Sequence, residues 1–425
     1  MTRYEKEGHA HHNDQISYLP SNLTDSILSK LSIQDLIRTS ILSRGWRYKW
    51  TSVPQLAFEN DFFEKCKHLE FHETSSVITQ ILLLHSGPIV KFTLYIPKNF
   101  PIKMECLNKW INLLSGKGIK FLKIVNLQNV PFQTPSHIFS CNLLTHLELY
   151  NFKLSFVPNF GGFKSMFTLI LDDIIFESNA LQSLMFVCPS LVILTISYCS
   201  GFECINICSP TLKDLRVSGD EFIKSICLEK AKNMTHLSLM NDQPGNNFER
   251  DTVTNLIKGL SKIESICLGE GYIQIFSEAG FLPKGLQTSF NTLKYLELDS
   301  VNFCNSREIL FVISLLKSSP NLKELLIESR YTSNVMEQPH TLEVSKYNSC
   351  CLSQLQTVSI NVYKVCRNTL NFIQYLLANS PSLESIAFTI DAIQEHSILG
   401  IKQDLQQMAR VSKKVEVELS YEYIY

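Results

Sequence analysis

Twelve times along this chain, apolar residues take the first, fourth and sixth places of a six-residue stretch. The stretches begin at Ile89, Ile119, Leu144, Met166, Leu191, Leu212, Met234, Ile263, Leu293, Leu322, Leu355 and Leu383, with starts 21 to 33 residues apart. The clearest copies are Leu144-Thr145-His146-Leu147-Glu148-Leu149, Leu212-Lys213-Asp214-Leu215-Arg216-Val217, Leu293-Lys294-Tyr295-Leu296-Glu297-Leu298 and Leu322-Lys323-Glu324-Leu325-Leu326-Ile327. Pro precedes several of them, as in Ser209-Pro210-Thr211-Leu212 and Ser380-Pro381-Ser382-Leu383. Pro lacks an N–H and disfavours helix at the residue before it, so it ends the preceding segment and sets up a strand. Any single match is a coincidence of common residues, but twelve at near-regular spacing are not.

A repeat of this size is one strand plus a return segment and cannot bury its own apolar stripe. Only stacking the copies makes a continuous core. Apolar-x-x-apolar-x-apolar is the strand signature of a leucine-rich repeat. Side chains alternate along a strand, so the Leu and Ile positions point inward and the residues between them face outward from a concave wall. Phe186 and Val187, Leu256 and Ile257, and Leu310 to Leu316 read as helical returns on the convex side. The 425 residues would suggest about three domains by length alone, but a solenoid adds core one layer at a time. The chain is 45% hydrophobic and 19% charged, as an Ile/Leu column requires.

The formal charge of −1 argues against nucleic acid or an anionic membrane surface as the main partner. No run of 18 apolar residues predicts a transmembrane helix. The polar residues 1–14 lack the apolar segment of a secretory signal, and the expected location is the cytoplasm, the nucleus or both. The thirteen cysteines then read as free thiols in a reducing compartment. The densest group, Cys199, Cys204 and Cys208, and the pair Cys350–Cys351 lack paired CxxC or Cys/His spacing and read as ordinary core cysteines. His68 and His72 stand at i, i+4 beside Glu70 and Glu73, without an HExxH arrangement, and read as surface histidines. The tract with His9, His11 and His12 reads as part of a flexible tail. No metal or cofactor is expected. GxSxG, GxxxxGK[ST] and HExxH are all missing, and Gly269-Glu270-Gly271 reads as a turn.

Ahead of the repeats lies a compact helical pattern. Leu19-Pro20-Ser21-Asn22 resembles a helix start, and Leu23, Ile27, Leu28 and Leu31 fall on one face. Ser32 and Asp35 are placed to cap a second helix carrying Leu36, Ile37, Ser40 and Ile41. Trp46 and Trp50 follow at i, i+4 after the break at Ser43-Arg44-Gly45. A module of about 40 residues cannot bury its own apolar surface without disulfides, metal or a partner. This one contains no cysteine before Cys66.

The run Asp14-Gln15-Ile16-Ser17-Tyr18-Leu19-Pro20, then Ile27-Leu28-Ser29-Lys30-Leu31, then Arg38-Thr39-Ser40-Ile41-Leu42-Ser43-Arg44-Gly45-Trp46-Arg47-Tyr48-Lys49-Trp50, resembles a plant F-box. Ser32, where many members have Pro, and Gly45, where a basic residue usually precedes the Trp, depart from the pattern. The order of segments 351–360, 370–377, 383–390 and 415–419, strand then helix then Ser-Pro-Ser-Leu strand, resembles the FBD region that ends many such proteins. The whole chain thus resembles a plant F-box/FBD/LRR-repeat protein. The expected fold class is α/β: a small all-helical F-box, a solenoid with parallel strands on its concave face and helical or irregular returns, and an FBD-like α/β cap. The expected division is a tail at 1–13, F-box at 14–52, N-terminal solenoid cap at 53–96, repeats at 97–344 and an FBD-like region at 345–425.

The resemblance implies a non-catalytic receptor subunit of a Skp–cullin–F-box ubiquitin ligase. The F-box would bind the Skp-type adaptor, and through it a cullin, while the repeats hold a target protein. Leu19, Pro20, Ile27, Leu28, Leu31, Leu36, Ile37, Leu42, Trp46 and Trp50 are then the expected F-box core and adaptor surface. Leu19, Pro20 and Trp46 are expected at the interface, with Arg38, Arg44 and Arg47 on a basic rim. Expected target-facing residues are His146, Glu148, Tyr150, Asp214, Arg216, Ser218, His236, Ser238, Met240, Tyr295, Glu297, Asp299, Glu324, Leu326 and Glu328. The acidic ones among Glu297, Asp299, Glu324 and Glu328 suit a basic or mixed-polarity target segment. A small-molecule co-receptor using the repeat wall, and an F-box scaffold outside a ligase, are the alternatives.

Overall fold

All twelve expected repeats deliver a strand two residues after their first apolar position. The strands are Lys91–Ile96, Phe121–Asn126, His146–Leu154, Thr168–Phe176, Ile193–Ser197, Asp214–Gly219, His236–Asn241, Ser265–Leu268, Tyr295–Leu298, Glu324–Ser329, Thr357–Val362 and Ser385–Ile393. Two further strands, Gln55–Phe58 and Glu416–Tyr423, add to them. The computed structural model describes residues 19–100, 102–155, 160–219, 223–241, 256, 260, 262–278, 290–329, 352–393 and 395–423. The expected tail at 1–13, Ile257, Cys350 and Cys351 lie outside the described residues. The chain forms two units, Met1–Asn151 and Phe152–Tyr425.

In the first unit, helix α1 (Ser21–Leu28), helix α2 (Ile33–Arg38) and the 3₁₀ turns Thr39–Ile41 and Lys49–Ser52 precede strand Gln55–Phe58. That strand pairs in parallel with Lys91–Ile96, which pairs with Phe121–Asn126, which pairs with the strand beginning at His146. The segment expected as a cap therefore opens the repeat sheet itself. Val53-Pro54-Gln55-Leu56-Ala57-Phe58 carries the same spacing, and Val53, Leu56 and Phe58 are buried. Behind the sheet, helices Phe71–Leu84 and Met104–Ser115 are tied by Trp110, whose buried Nε1–H donates to Thr79 Oγ1 at 2.9 Å. Asn126 and Asn151 exchange side-chain N–H bonds with each other's carbonyl oxygens at 3.1 and 3.2 Å. These bonds satisfy backbone groups that buried turns would otherwise leave unpaired.

In the second unit, the strands from Thr168–Phe176 to Glu416–Tyr423 stack in parallel, each beside the next main-sheet strand of the chain. Their register is locked at the entrance. The N–H groups of Lys294 and Tyr295 both donate to Glu264 O, at 2.8 and 3.1 Å, and those of Lys323 and Glu324 both donate to Lys294 O, at 2.9 and 3.0 Å. A one-residue slip would turn every Leu outward, so the buried column and these bonds enforce one pairing. Helix Ser306–Lys317 covers the inner face with Ile309, Val312, Ile313 and Leu316, all buried at helical spacing. Asn305 caps it by accepting from the Arg307 N–H at 3.0 Å. Gly219, at φ +131°, follows its strand where a Cβ would meet Tyr198 Cα at 2.9 Å, so only glycine fits. A smaller parallel sheet, Cys204–Asn206 with Ser225–Cys227, lies on the return side.

Candidate functional site

The N-terminal module sorts its apolar residues into two sets. Pro20 precedes α1 in extended conformation, and its carbonyl accepts from the N–H groups of Leu23 and Thr24, both at 3.0 Å. Thr24 and Leu28, four residues apart, face inward and are each 1% exposed. Leu23, Ile27 and Leu31, also at successive steps of four, are 48%, 47% and 38% exposed. Residues at i and i+4 share a helix face, so Leu23 and Ile27 form one outward row on α1, which exposed Leu31 extends from the turn after the helix. Ser32 starts α2 as expected: its Oγ accepts from the Asp35 N–H at 3.3 Å and its hydroxyl donates to Asp35 Oδ2 at 2.8 Å. The Ser32 hydroxyl, with Arg38 and Lys65, holds the Asp35 carboxyl below its usual range. Ile33 and Leu36 are buried.

Beyond α2 no helix forms around Trp46 and Trp50. Residues 39–53 instead run as turns with i to i−3 bonds, from Leu42 N to Thr39 O, Trp46 N to Ser43 O, Lys49 N to Trp46 O and Val53 N to Trp50 O. The hydroxyls of Thr39, Thr51 and Ser52 donate to carbonyls three residues back at 2.7, 2.8 and 3.0 Å. Such side chains compete with helical hydrogen bonding, and Gly45 adds to the loss.

The expected adaptor residues therefore divide. Leu28, Leu36, Trp46 and Trp50 are core, Leu19 and Ile37 are half-buried, and Pro20, Ile27, Leu31 and Leu42 are exposed. Trp46 does not present its ring at the surface as expected: it is buried, with Lys49 Nζ over the ring at 4.6 Å from the centroid. Leu23, Ile41 and Tyr48 are exposed apolar residues that the expected site left out. Leu23 was legible as the start of the i, i+4 row. Arg38, Arg44 and Arg47 are exposed.

Within the same unit, a cleft of about 360 Å³ lies between the α1–α2 turn and the outward positions of the first two strands, including Gln55, Lys91 and Thr93. Gln34 lines it, donating from Nε2 to Phe62 O at 3.2 Å. On the open face of this unit, His146, Glu148 and Tyr150 are half-exposed. The His146 ring stacks on Phe121 at 4.1 Å, and Lys91 Nζ lies 4.6 Å from the Phe121 centroid. His146 and Lys123, at 3.7 and 2.5 Å, hold the Glu148 carboxyl below its usual range.

On the open face of the second unit, exposed Arg216 grips Asp214 with two bonds of 3.1 and 2.9 Å. His236 is exposed, its Nδ1 2.8 Å from Thr235 Oγ1. Ser218, Ser238, Met240 and Leu326 are half-exposed. Tyr295 OH donates to Glu297 Oε2 at 2.9 Å, and the Cys267 thiol reaches the same oxygen at 3.3 Å. Burial, then the Glu297 charge, pushes the Cys267 thiol up to about 12. Asp299 corrects the expectation: the strand ends at Leu298, the alternation lapses, and Asp299 is 7% exposed, accepting from Ser300 Oγ at 2.9 Å. The outward acidic set thus contracts to Glu297, Glu324 and Glu328.

The His68/His72 pair does not share a helix, because the helix begins at Phe71. Glu70 and Glu73 form its capping box, and Glu70 Oε2 lies 3.2 Å from His72 Nδ1. Among the described residues, no group of three or more His, Cys, Asp or Glu is placed to hold a metal ion, and no helix is long and apolar enough to cross a membrane.

Comparison with known proteins matches residues 16–57 to the F-box domain, 107–327 to the family described as FBD-associated F-box protein At5g56370, LRR repeats, and 348–388 to FBD. The F-box/FBD/LRR-repeat protein At1g13570 of Arabidopsis thaliana is 32% identical over 412 residues, 95% of this chain and 98% of that protein. The FBD-associated F-box protein At5g38590 of the same plant is 27% identical over 404 residues, covering 89% and 94%. F-box/LRR-repeat protein 13, also of Arabidopsis thaliana, is 25% identical over 460 residues, covering 95% and 96%.

Proposed function

The chain belongs to the plant F-box/FBD/LRR-repeat family, and from that premise we propose that it is the substrate-recognition subunit of a Skp–cullin–F-box ubiquitin ligase. Its work is positioning. The F-box binds a Skp-type adaptor, the repeats hold a target protein, and other subunits transfer ubiquitin, so this chain supplies no catalytic group.

The observation that carries the reading is the outward row Leu23, Ile27 and Leu31, joined by exposed Ile41, Leu42 and Tyr48 on a module whose other large apolar residues, among those described, are buried or half-buried. A small module rarely leaves so much apolar surface to water unless a partner covers it. A specific partner would bury on the order of 1,200–2,000 Å² in all. Arg38, Arg44 and Arg47 form a basic rim suited to an acidic adaptor, raising the encounter rate and fixing orientation. Outward strand residues such as Arg216, His236, Glu324 and Glu328 supply target contacts.

The test is reconstitution. The full chain, a Skp-type adaptor, a cullin and a ubiquitin-conjugating enzyme are combined with proteins captured by proximity labelling under proteasome inhibition. Ubiquitin transfer to a captured protein that depends on this chain is expected. Stable adaptor binding with no transfer to any captured protein would instead favour a scaffold outside a ligase.

A further inference from the structure

The cysteine cluster conspicuous in the sequence is regrouped by the fold. Cys199 leaves it: that thiol is buried, and burial pushes it up to about 12. Cys204 and Cys208 remain near the surface, and Cys227, a whole repeat later in the chain, joins them. The small parallel sheet explains why. Strand Cys204–Asn206 pairs with Ser225–Cys227 in the register Cys204↔Ser225, Ile205↔Ile226 and Asn206↔Cys227. Ile205, Ile207 and Ile226 are buried, whereas Cys204 and Cys227 are exposed and Cys208 is half-exposed. By alternation Cys204 and Cys227 project from the outer face of this sheet, and Cys208, two residues past the strand, keeps their phase, because Ile207 before it is buried and its N–H donates to Cys227 O at 3.0 Å.

The register fixes their spacing. Cys227 lies opposite Asn206, so Cys204 and Cys208 are each two residues off it, one on either side. Adjacent strands stand about 4.8 Å apart and rise about 3.3 Å per residue, which puts Cys227 about 8 Å, Cα to Cα, from each of them. A relaxed disulfide needs about 4.4–6.8 Å, so direct oxidation across the pair is disfavoured. Two thiolates on one metal ion stand farther apart than two bonded sulfurs, because each metal–sulfur bond is about 2.3 Å long. Cys204 and Cys208, four residues apart along a strand, are too distant to share an ion without Cys227.

We propose that Cys227, paired with either Cys204 or Cys208, forms a two-thiolate site for a soft, thiophilic monovalent cation of the Cu(I) class. Thiolates select such ions, and two sulfurs suffice for one that accepts two ligands. Binding replaces two S–H bonds by two metal–sulfur bonds and releases two protons, with no change of oxidation state. Because the ligands come from consecutive repeats, the ion staples one return segment to the next.

The test presents Cu(I) to the full chain as its coloured bicinchoninate complex, under a non-thiol reductant, and counts the ion transferred. Cys227→Ser and Cys227→Ala, each checked for an unchanged unfolding midpoint without metal, are expected to take up one equivalent less than wild type. Cys204→Ser and Cys208→Ser singly should keep that equivalent, and the double variant should lose it. Cu(I) should raise the wild-type unfolding midpoint more than that of Cys227→Ser. Full uptake by either Cys227 variant, or by the double variant, overturns the proposal.

Discussion

His85 Nε2 stands 2.8 Å from the carbonyl oxygen of Val53, where the chain leaves the F-box for the repeat sheet. The other ring nitrogen lies 3.1 Å from Gly87 O, and the N–H groups of Ser86 and Gly87 donate to Thr51 O at 2.9 and 3.1 Å. A neutral imidazole satisfies one of the two carbonyls, and an imidazolium would satisfy both. Burial nevertheless wins: together with the Lys117 charge it depresses the His85 pKa below 6.5, against the pull of the two carbonyls. As pH falls through 6.5 the unfolded chain takes up a proton that the folded chain refuses, so stability is present above that pH and lost below it. In a Glu308→Gln background, which removes the opposing titration of that buried carboxyl, urea midpoints should fall between pH 7.5 and 5.5, and adding His85→Gln should reduce that difference. An undiminished difference in the variant would place the titrating group elsewhere.

Glu308 predicts the opposite slope. It is 2% exposed at the start of helix Ser306–Lys317, accepting from the Asn302 N–H at 2.9 Å and from Asn305 Nδ2 at 2.8 Å. Burial outweighs those bonds and pushes its carboxyl up to about 7. A folded-state value above the unfolded one means that this contribution is complete below about pH 4.5 and is lost as pH rises through 7. The shift corresponds to on the order of 3 kcal/mol. Glu308→Gln should flatten the stability profile between pH 5 and 8, measured by denaturant titration at matched ionic strength.

Neighbouring residues in α1 should behave as opposites. Leu28→Ala removes a buried side chain and should cost about 2–5 kcal/mol of stability. Ile27→Ala alters a surface position and should change stability by no more than about 0.5 kcal/mol, while weakening adaptor binding. Thermal melts and adaptor titrations on the same two proteins separate the effects.

The open face of the second unit yields a comparison between acids. Glu324→Lys with Glu328→Lys should leave the unfolding midpoint nearly unchanged and reduce capture of target proteins in proximity labelling. Asp299→Ala should instead lower the midpoint, because its carboxylate accepts a hydrogen bond inside the turn that ends the strand. Unaltered capture by the double variant would remove Glu324 and Glu328 from the target surface.

The strands were legible because a two-residue alternation survives every change of return segment, and all twelve starts fell two residues ahead of a strand. The earliest strand was legible from the alternation of Leu56 and Phe58, but because it abuts the helical module it read as part of a cap rather than as the first strand of the repeat sheet. The first two helices were legible from Pro20, Ser32 and Asp35. No third helix follows around Trp46 and Trp50, because Thr39, Thr51 and Ser52 bond locally to carbonyls and favour tight turns. Which Leu or Ile faced outward was illegible in principle: Leu23 and Leu28 are the same residue type, and only the packing of Thr24 and Leu28 inward reveals Leu23 and Ile27 as outward. Cys227 joined Cys204 and Cys208 only once the register Asn206↔Cys227 was known.

The most direct test of the central claim is the affinity of the full chain for a Skp-type adaptor with Ile27→Glu, read by calorimetry beside a thermal melt. A charge in the middle of the Leu23–Ile27–Leu31 row is expected to abolish measurable binding while the unfolding midpoint stays within about 1–2 °C of wild type, as for other exposed substitutions. Wild-type affinity in that variant would show that the row is not the docking surface.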